Sequence, residues 1–183
     1  MSQLQKYRTL FLDRDGVINA RIPFAYIERP ADFQFLEDAP KAIAQFTQQF
    51  DYIVIVTNQA GIGKGIMSSE DLDAVHAHML LQIEAAGGQI DAVYHCPELA
   101  EDNPNCRKPN TGMALQAQYD FPDIDFETSI MVGDSASDIE FGKRLGMLTV
   151  LIEGKVGEEE VLKDLEVDYR FGALVELACY MLE

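Results

Sequence analysis

Arg8-Thr9-Leu10-Phe11-Leu12-Asp13-Arg14-Asp15-Gly16-Val17-Ile18-Asn19 is the stretch on which the reading of this chain turns: a short apolar run breaks into two aspartates and a glycine. Such a run reads as a buried strand whose C-terminal end opens into a polar loop, because carboxylates are rarely buried unless paired or bound to a metal. If the backbone stays extended, the period of two puts Asp13 and Asp15 on one side, and Gly16 lets the chain turn sharply after them. Two carboxylates this close suit a division of labour. A divalent cation would neutralise Asp13 together with an incoming anion, while a carboxylate outside the metal's shell keeps a proton for a leaving alkoxide. A plain solvated turn is the bland alternative, since Asp and Gly are ordinary turn residues.

The same pattern recurs along the chain. Residues 52–57 form a nearly continuous apolar run of the kind covered on both faces in a parallel sheet, and it ends in Thr57-Asn58-Gln59 followed by Gly61-Ile62-Gly63-Lys64-Gly65. Hydroxyl and backbone N–H groups there could hold an anion, although Gly65 stands where a Walker P-loop requires Ser or Thr. Residues 128–132 make a further strand, ending in Gly133-Asp134-Ser135-Ala136-Ser137-Asp138. A helix cap accounts for Ser135 and Asp138 but not for Asp134.

Between these strands the apolar spacing turns helical. Asp38 is expected to cap a helix over 39–49, Ser68 or Ser69 one reaching 86, and Thr111 one reaching 119. Strands are predicted over 90–94 and 147–152, with an edge strand over 167–171. Helices are predicted over 158–165 and 173–181, the last carrying Cys179 as a core residue. This alternation predicts an α/β three-layer, Rossmann-like sandwich around a mainly parallel sheet, with ligands outside the strands' carboxyl ends.

Two segments lack a period. Residues 19–35, with Pro23, Phe24, Pro30, Phe33 and Phe35, read as a long ordered loop beside Asp13, making Arg21, Tyr26 and Arg29 candidates for touching a substrate. Residues 95–109 read as an irregular loop whose His95, Cys96 and Cys106 lack the paired spacing of a zinc site. Arg107-Lys108 is its more informative pair, since compact positive charge holds a phosphoryl group. His76 and His78 read as surface or packing residues.

Composition narrows the setting. A length of 183 residues fits one domain over 1–183, and 31 acidic against 14 basic residues, a net charge of −17, oppose binding to nucleic acid or an anionic membrane. The chain has no run of 18 apolar residues and no apolar signal segment in Met1-Ser2-Gln3-Leu4-Gln5-Lys6. A soluble cytoplasmic protein with three reduced cysteines is expected.

Taken together, Asp13/Asp15, Thr57, Lys108 and Asp134/Asp138 are four separated motifs whose order resembles that of the haloacid dehalogenase-like phosphatases, over essentially the whole sequence. The resemblance implies that Asp13 is the nucleophile forming an aspartyl phosphate and Asp15 the general acid and then base. It implies Thr57 as a phosphoryl-oxygen ligand, Lys108 as a charge clamp, and Mg2+ held by Asp13, the Asp15 backbone carbonyl and Asp134, with Asp138 supporting that shell.

Asp-Arg-Asp-Gly-Val-Ile-Asn, Thr-Asn-Gln-Ala-Gly-Ile-Gly-Lys-Gly and Cys-Arg-Lys-Pro-Asn-Thr-Gly-Met are similar to the branch without a separate cap domain. That branch includes heptose bisphosphate phosphatases and the histidinol-phosphatase domain. It implies substrate contacts from Arg107; Asn58, Arg21 and Tyr26 are the further substrate-binding candidates. Zinc-bearing members carry Cys-Pro-His and Cys-x-Cys where this chain has Cys96-Pro97-Glu98 and Pro104-Asn105-Cys106, so structural zinc is not expected. The implied activity is magnesium-dependent hydrolysis of a small phosphorylated metabolite, D-glycero-D-manno-heptose 1,7-bisphosphate first, with histidinol phosphate or another sugar phosphate as alternatives. A phospho-accepting signalling domain is the alternative of another class; its phosphorylated Asp comes from a later strand, whereas the pair here follows the first. A monomer is expected, with a dimer as the alternative.

Overall fold

Successive apolar residues in the first strand point to opposite faces, Leu10 and Leu12 to one and Phe11 to the other, and each face is covered by helices. The computed structural model describes residues 3–22, 25–155 and 157–182, so Pro23 and Phe24 of the expected 19–35 loop lie outside the described residues. Six strands alternate with six helices: β1 (Thr9–Leu12), α1 (Ala39–Phe46), β2 (Tyr52–Asn58), α2 (Ser69–Ala85), β3 (Ala92–Cys96), α3 (Gly112–Asp120), β4 (Ser129–Gly133), α4 (Ala136–Arg144), β5 (Leu148–Ile152), α5 (Glu159–Lys163), β6 (Tyr169–Phe171) and α6 (Leu174–Leu182).

The sheet runs β3-β2-β1-β4-β5-β6 and every neighbouring pair is parallel. Leu10, Leu12, Ile53, Ile55, Ile130 and Val132 pack on one face against Ile43 and Phe46 of α1, Val75 and Met79 of α2 and Leu177 of α6. Phe11, Val54, Val56 and Met131 pack on the other, against Met113 and Ala117 of α3 and Phe141 of α4. The result is the expected three-layer α/β sandwich, with no separate cap among the described residues. Strand order reverses between β1 and β4, the position where such sheets leave a crevice at their carboxyl ends.

Local differences from the expected elements have local causes. Asp38 precedes α1 but takes a left-handed conformation, φ 57°, and pairs with Lys41 at 2.6 Å instead of capping with its side chain. Ser68 does cap α2, in a reciprocal box with Asp71 that satisfies two of the helix's free N–H groups. β3 begins at Ala92 and extends to Cys96 because it pairs in register with β2 up to Asn58↔Cys96, which takes His95 and Cys96 out of the expected loop. Cys179 is exposed, not core: Leu177, Ala178 and Met181 supply the buried side of α6. Cys96 and Cys106, expected as reduced thiols, are joined in a disulfide with their Cα atoms 5.3 Å apart. The end of β3 and the turn before Arg107 lie side by side, which the separation of ten residues did not reveal.

Candidate active site

β1 ends at Leu12, and the two acids after it do not continue as a strand. The Arg14 carbonyl accepts from the N–H groups of Val17, Ile18 and Asn19, so the chain winds tightly around Arg14. Gly16 makes this possible: its φ is +93°, and a Cβ there would lie 1.9 Å from an Asp134 oxygen. Asp13 and Asp15 nevertheless line one cavity of about 310 Å³ at the carboxyl ends of the strands. Thr57, Asn58, Arg107, Lys108 and Asp138 also border it.

Lys108 ties the centre together. Buried to 3% exposure, its Nζ lies 2.8 Å from Asp13 Oδ1 and 2.6 Å from Asp138 Oδ1, and it donates to the Val56 carbonyl at 2.7 Å. Burial works to lower the lysine's pKa, but the two carboxylates raise it, so the ammonium stays charged. The other Asp138 oxygen accepts from the Asp134 and Ser135 backbone N–H groups and from Ser135 Oγ at the start of α4. Against the cost of burial, Lys108 holds the Asp138 carboxyl below the usual range. Both Asp138 oxygens are thus engaged by groups of the protein itself.

Asp13, Asp134 and Asp138 each bring a carboxylate oxygen within 4.8 Å of the others, all three buried. Burial, then the Asp138 charge, pushes Asp13 up to about 7, with Lys108 pulling against them. Burial also raises Asp134, partly offset by Arg21. Three buried acids with hard oxygen donors form a set that fits a magnesium ion. The Cys96 and Cys106 sulfurs, bonded to each other, present no thiolate pair for zinc.

Asp15 stands in a different environment. Its oxygens accept from Arg14 Nη2 at 2.9 and 3.0 Å, from Asn19 Nδ2 at 2.9 Å and from Gln59 Nε2 at 2.8 Å. Burial works to raise this carboxyl, but the Arg14 charge and those hydrogen bonds hold it below the usual range. Arg14 is itself fully buried, with Nη1 3.1 Å from His76 Nε2 on α2. Burial first, then the Arg14 charge, lowers the His76 pKa to about 3, so the imidazole is neutral. Gln59 also donates to Thr57 Oγ1 at 2.9 Å, linking the first two strand ends.

Several expected substrate residues fall differently. The Asn58 amide borders the cavity and also positions Lys108, donating to its carbonyl at 3.2 Å and accepting from its N–H at 3.0 Å. Arg29 does not reach the cavity; it is exposed and pairs with Asp32. Arg107 borders the cavity, its Nη1 donating to the Glu98 carbonyl at 3.4 Å. Tyr26 borders it too, its ring seated against Gly61, where a Cβ would come within 2.9 Å, and under Lys64, 5.5 Å from the ring centre. The glycine loop therefore packs on Tyr26 and does not line the cavity as an anion cradle. Arg21 lies on the acids themselves: Nε and Nη2 donate to the two Asp134 oxygens at 2.6 Å each, and Nη2 is 3.6 Å from Asp13 Oδ2.

Lys155 and Glu158, after β5, also border the cavity and escaped sequence reading, as did Arg14, Asn19 and Gln59 around Asp15. A signal existed for two of them. Gln59 is two residues beyond Thr57, and Lys155 follows a fourth apolar strand's carboxyl end.

Comparison with known proteins agrees with this geometry. A HAD-hydrolase-like family model matches residues 105–176. The D-glycero-alpha-D-manno-heptose-1,7-bisphosphate 7-phosphatase of Mycobacterium bovis is 40% identical over 131 residues, 72% of this chain and 69% of that protein. The D-glycero-beta-D-manno-heptose-1,7-bisphosphate 7-phosphatase of Vibrio cholerae is 37% identical over 150 residues, 78% and 79% of the two chains. Among solved structures, the D,D-heptose 1,7-bisphosphate phosphatase from B. bronchiseptica, complexed with magnesium and phosphate, superposes with a TM-score of 0.87 at 29% identity, over 96% of this chain and 98% of that one.

Proposed function

The chain belongs to the haloacid dehalogenase-like phosphatases, and from that premise we propose that it is a magnesium-dependent phosphomonoesterase that removes the 7-phosphate of D-glycero-D-manno-heptose 1,7-bisphosphate. The observation that carries the chemistry is the convergence of Asp13, Thr57, Lys108 and Asp134 at the carboxyl ends of β1, β2 and β4. The substrate rests on likeness to heptose bisphosphate phosphatases, whose names include both anomers.

Asp13 attacks phosphorus, the bond to the sugar oxygen breaks, and the phosphoryl group rests on Asp13 until water displaces it. Asp13, the Asp15 carbonyl and Asp134 would hold the magnesium ion, whose charge offsets that of the phosphate and keeps Asp13 ionised. Lys108 neutralises Asp13 and the phosphoryl oxygens from the buried side, and the Thr57 hydroxyl donates to one of those oxygens. Asp15 gives a proton to the leaving alkoxide and later takes one from the attacking water. It begins as a carboxylate and takes the proton it later donates from solvent water as the phosphate arrives, whose negative charge raises its pKa. Arg107 and Tyr26 contact the sugar or its second phosphate. The setting proposed is the cytoplasm and the acting unit a single 1–183 domain; the described helices include none long and apolar enough to cross a membrane.

The test is phosphate release with magnesium from both anomers of heptose 1,7-bisphosphate, histidinol phosphate and hexose phosphates. A kcat/KM for one heptose anomer at least roughly tenfold above every other substrate is expected. Equal rates across the panel would remove the heptose assignment, and no release from any substrate would remove the phosphatase reading.

A further inference from the structure

Arg21 comes from the 19–35 loop, 113 residues from Asp134, yet it makes the shortest contacts that acid has with any cation. Its planar fork covers both Asp134 oxygens at 2.6 Å and turns its Nη2 toward Asp13 Oδ2, the oxygen that Lys108 leaves free. Gly16 provides the passage, since a Cβ there would lie 2.8 Å from Arg21 Nε. No other carboxylate among the described residues forms an ion pair with Arg21, and its side chain is 40% exposed.

These contacts have an electrostatic cause. Three buried acids within 4.8 Å repel one another, and Lys108 reaches only Asp13 and Asp138. A guanidinium is the side chain best shaped to neutralise the remaining carboxylate, because it engages both oxygens at once. A magnesium ion needs its oxygen ligands at about 2.0–2.1 Å in near-ideal octahedral order. An Asp134 oxygen offered to the ion would be shared with the fork that already engages it, and two cations crowded on the same carboxylates repel.

We propose that Arg21 is a built-in counter-cation of the acid cluster, displaced from Asp134 when magnesium loads and thereby freed to meet the substrate's phosphate at the cavity mouth. This rests on the magnesium reading above. It makes Arg21 a positioning residue with two successive partners: Asp134 before loading and the substrate anion after it. By linkage, whatever Arg21 contributes to neutralising Asp134 is subtracted from magnesium affinity.

Magnesium titrated calorimetrically into chelator-stripped wild type, Arg21→Gln and Arg21→Lys tests this. The Gln variant is expected to bind magnesium about 5- to 150-fold more tightly than wild type. The Lys variant should fall between them, because one ammonium cannot fork both oxygens. Without metal, Arg21→Gln should melt below wild type, and that deficit should vanish in an Asp134→Asn background, where the paired charge is gone. With magnesium saturating, its KM for a phosphomonoester should rise by a larger factor than its kcat falls. Equal magnesium Kd values for wild type and Arg21→Gln would overturn the inference alone, as would a melting deficit that persists beside Asp134→Asn. If no variant binds magnesium, the metal reading falls and takes this inference with it.

Discussion

At the scale of single residues, the site separates two carboxylates two positions apart by giving each its own cation. Asp13 faces Lys108 and the other acids, which leaves its carboxyl raised, whereas Asp15 is encircled by donors from Arg14, Asn19 and Gln59 and sits low. These shifts run opposite to the roles proposed for nucleophile and general acid, and the charge of magnesium beside Asp13 and of phosphate beside Asp15 would reverse them. Lys108 is the residue whose loss is predicted to affect both stability and rate. Lys108→Met would leave Asp13 and Asp138 buried without a counter-charge, costing about 3–5 kcal/mol of folding stability. It should also lower kcat/KM by an amount equivalent to about 2–5 kcal/mol, on the scale of removing a preorganised charged donor. Urea denaturation and subsaturating kinetics measure the two; a loss of rate below threefold would show that Lys108 does not act on the phosphoryl group.

At the scale of elements, Asp13, Thr57, Asp134 and Asp138 stand at the carboxyl end of a strand or in the first turn of the helix after it, while Lys108 comes from the loop between β3 and α3. The tight turn closing β1 is the least replaceable of these connections. Gly16→Ala places a side chain at φ +93°, a backbone cost of about 1–3 kcal/mol, and drives its Cβ into Asp134 and Arg21. Expected are a lower melting temperature and weakened magnesium binding together, since Asp134 has to move. A Gly16→Ala protein with wild-type magnesium affinity would mean that this turn is not pressed against the metal acids. The Ser68–Asp71 box, by contrast, fixes where α2 starts and does not border the cavity.

At the scale of the whole molecule, charges buried beside the sheet couple folding to pH. His76, on α2, is held neutral against Arg14 in the β1 turn, its pKa lowered to about 3 by burial and by the Arg14 charge. The unfolded chain takes up this proton near pH 6.5, so the contribution is complete above that pH and is lost as pH falls toward 3. Asp13, raised to about 7, works in the opposite direction over part of this window. The comparison of two proteins therefore carries the test better than one curve. His76→Gln should cost melting temperature at pH 7.5, and that deficit should shrink at pH 5, because the variant has no imidazole to protonate. A deficit that is unchanged or larger at pH 5 would show that His76 is not held neutral in the fold.

The alternation of strands and helices, and the ligand-bearing residues at three strand ends, could be read from the chain because they are local. Apolar period assigns each element, and a carboxylate directly after a buried strand betrays a ligand wherever that strand lies in the sheet. Element ends shifted by a few residues, as at β3, where pairing with β2 drew in His95 and Cys96. What the tertiary structure alone decided is which charge meets which. Arg21 reaches Asp134 from 113 residues away, Arg14 reaches His76 from 62, and Cys96 closes on Cys106, because the strand order sets β1 between β2 and β4 and folds the loops over the shared edge. Periodicity carries no information about such partners: a charge is satisfied by whatever opposite charge the packing brings within a few ångströms, and that packing is a property of the assembled sheet.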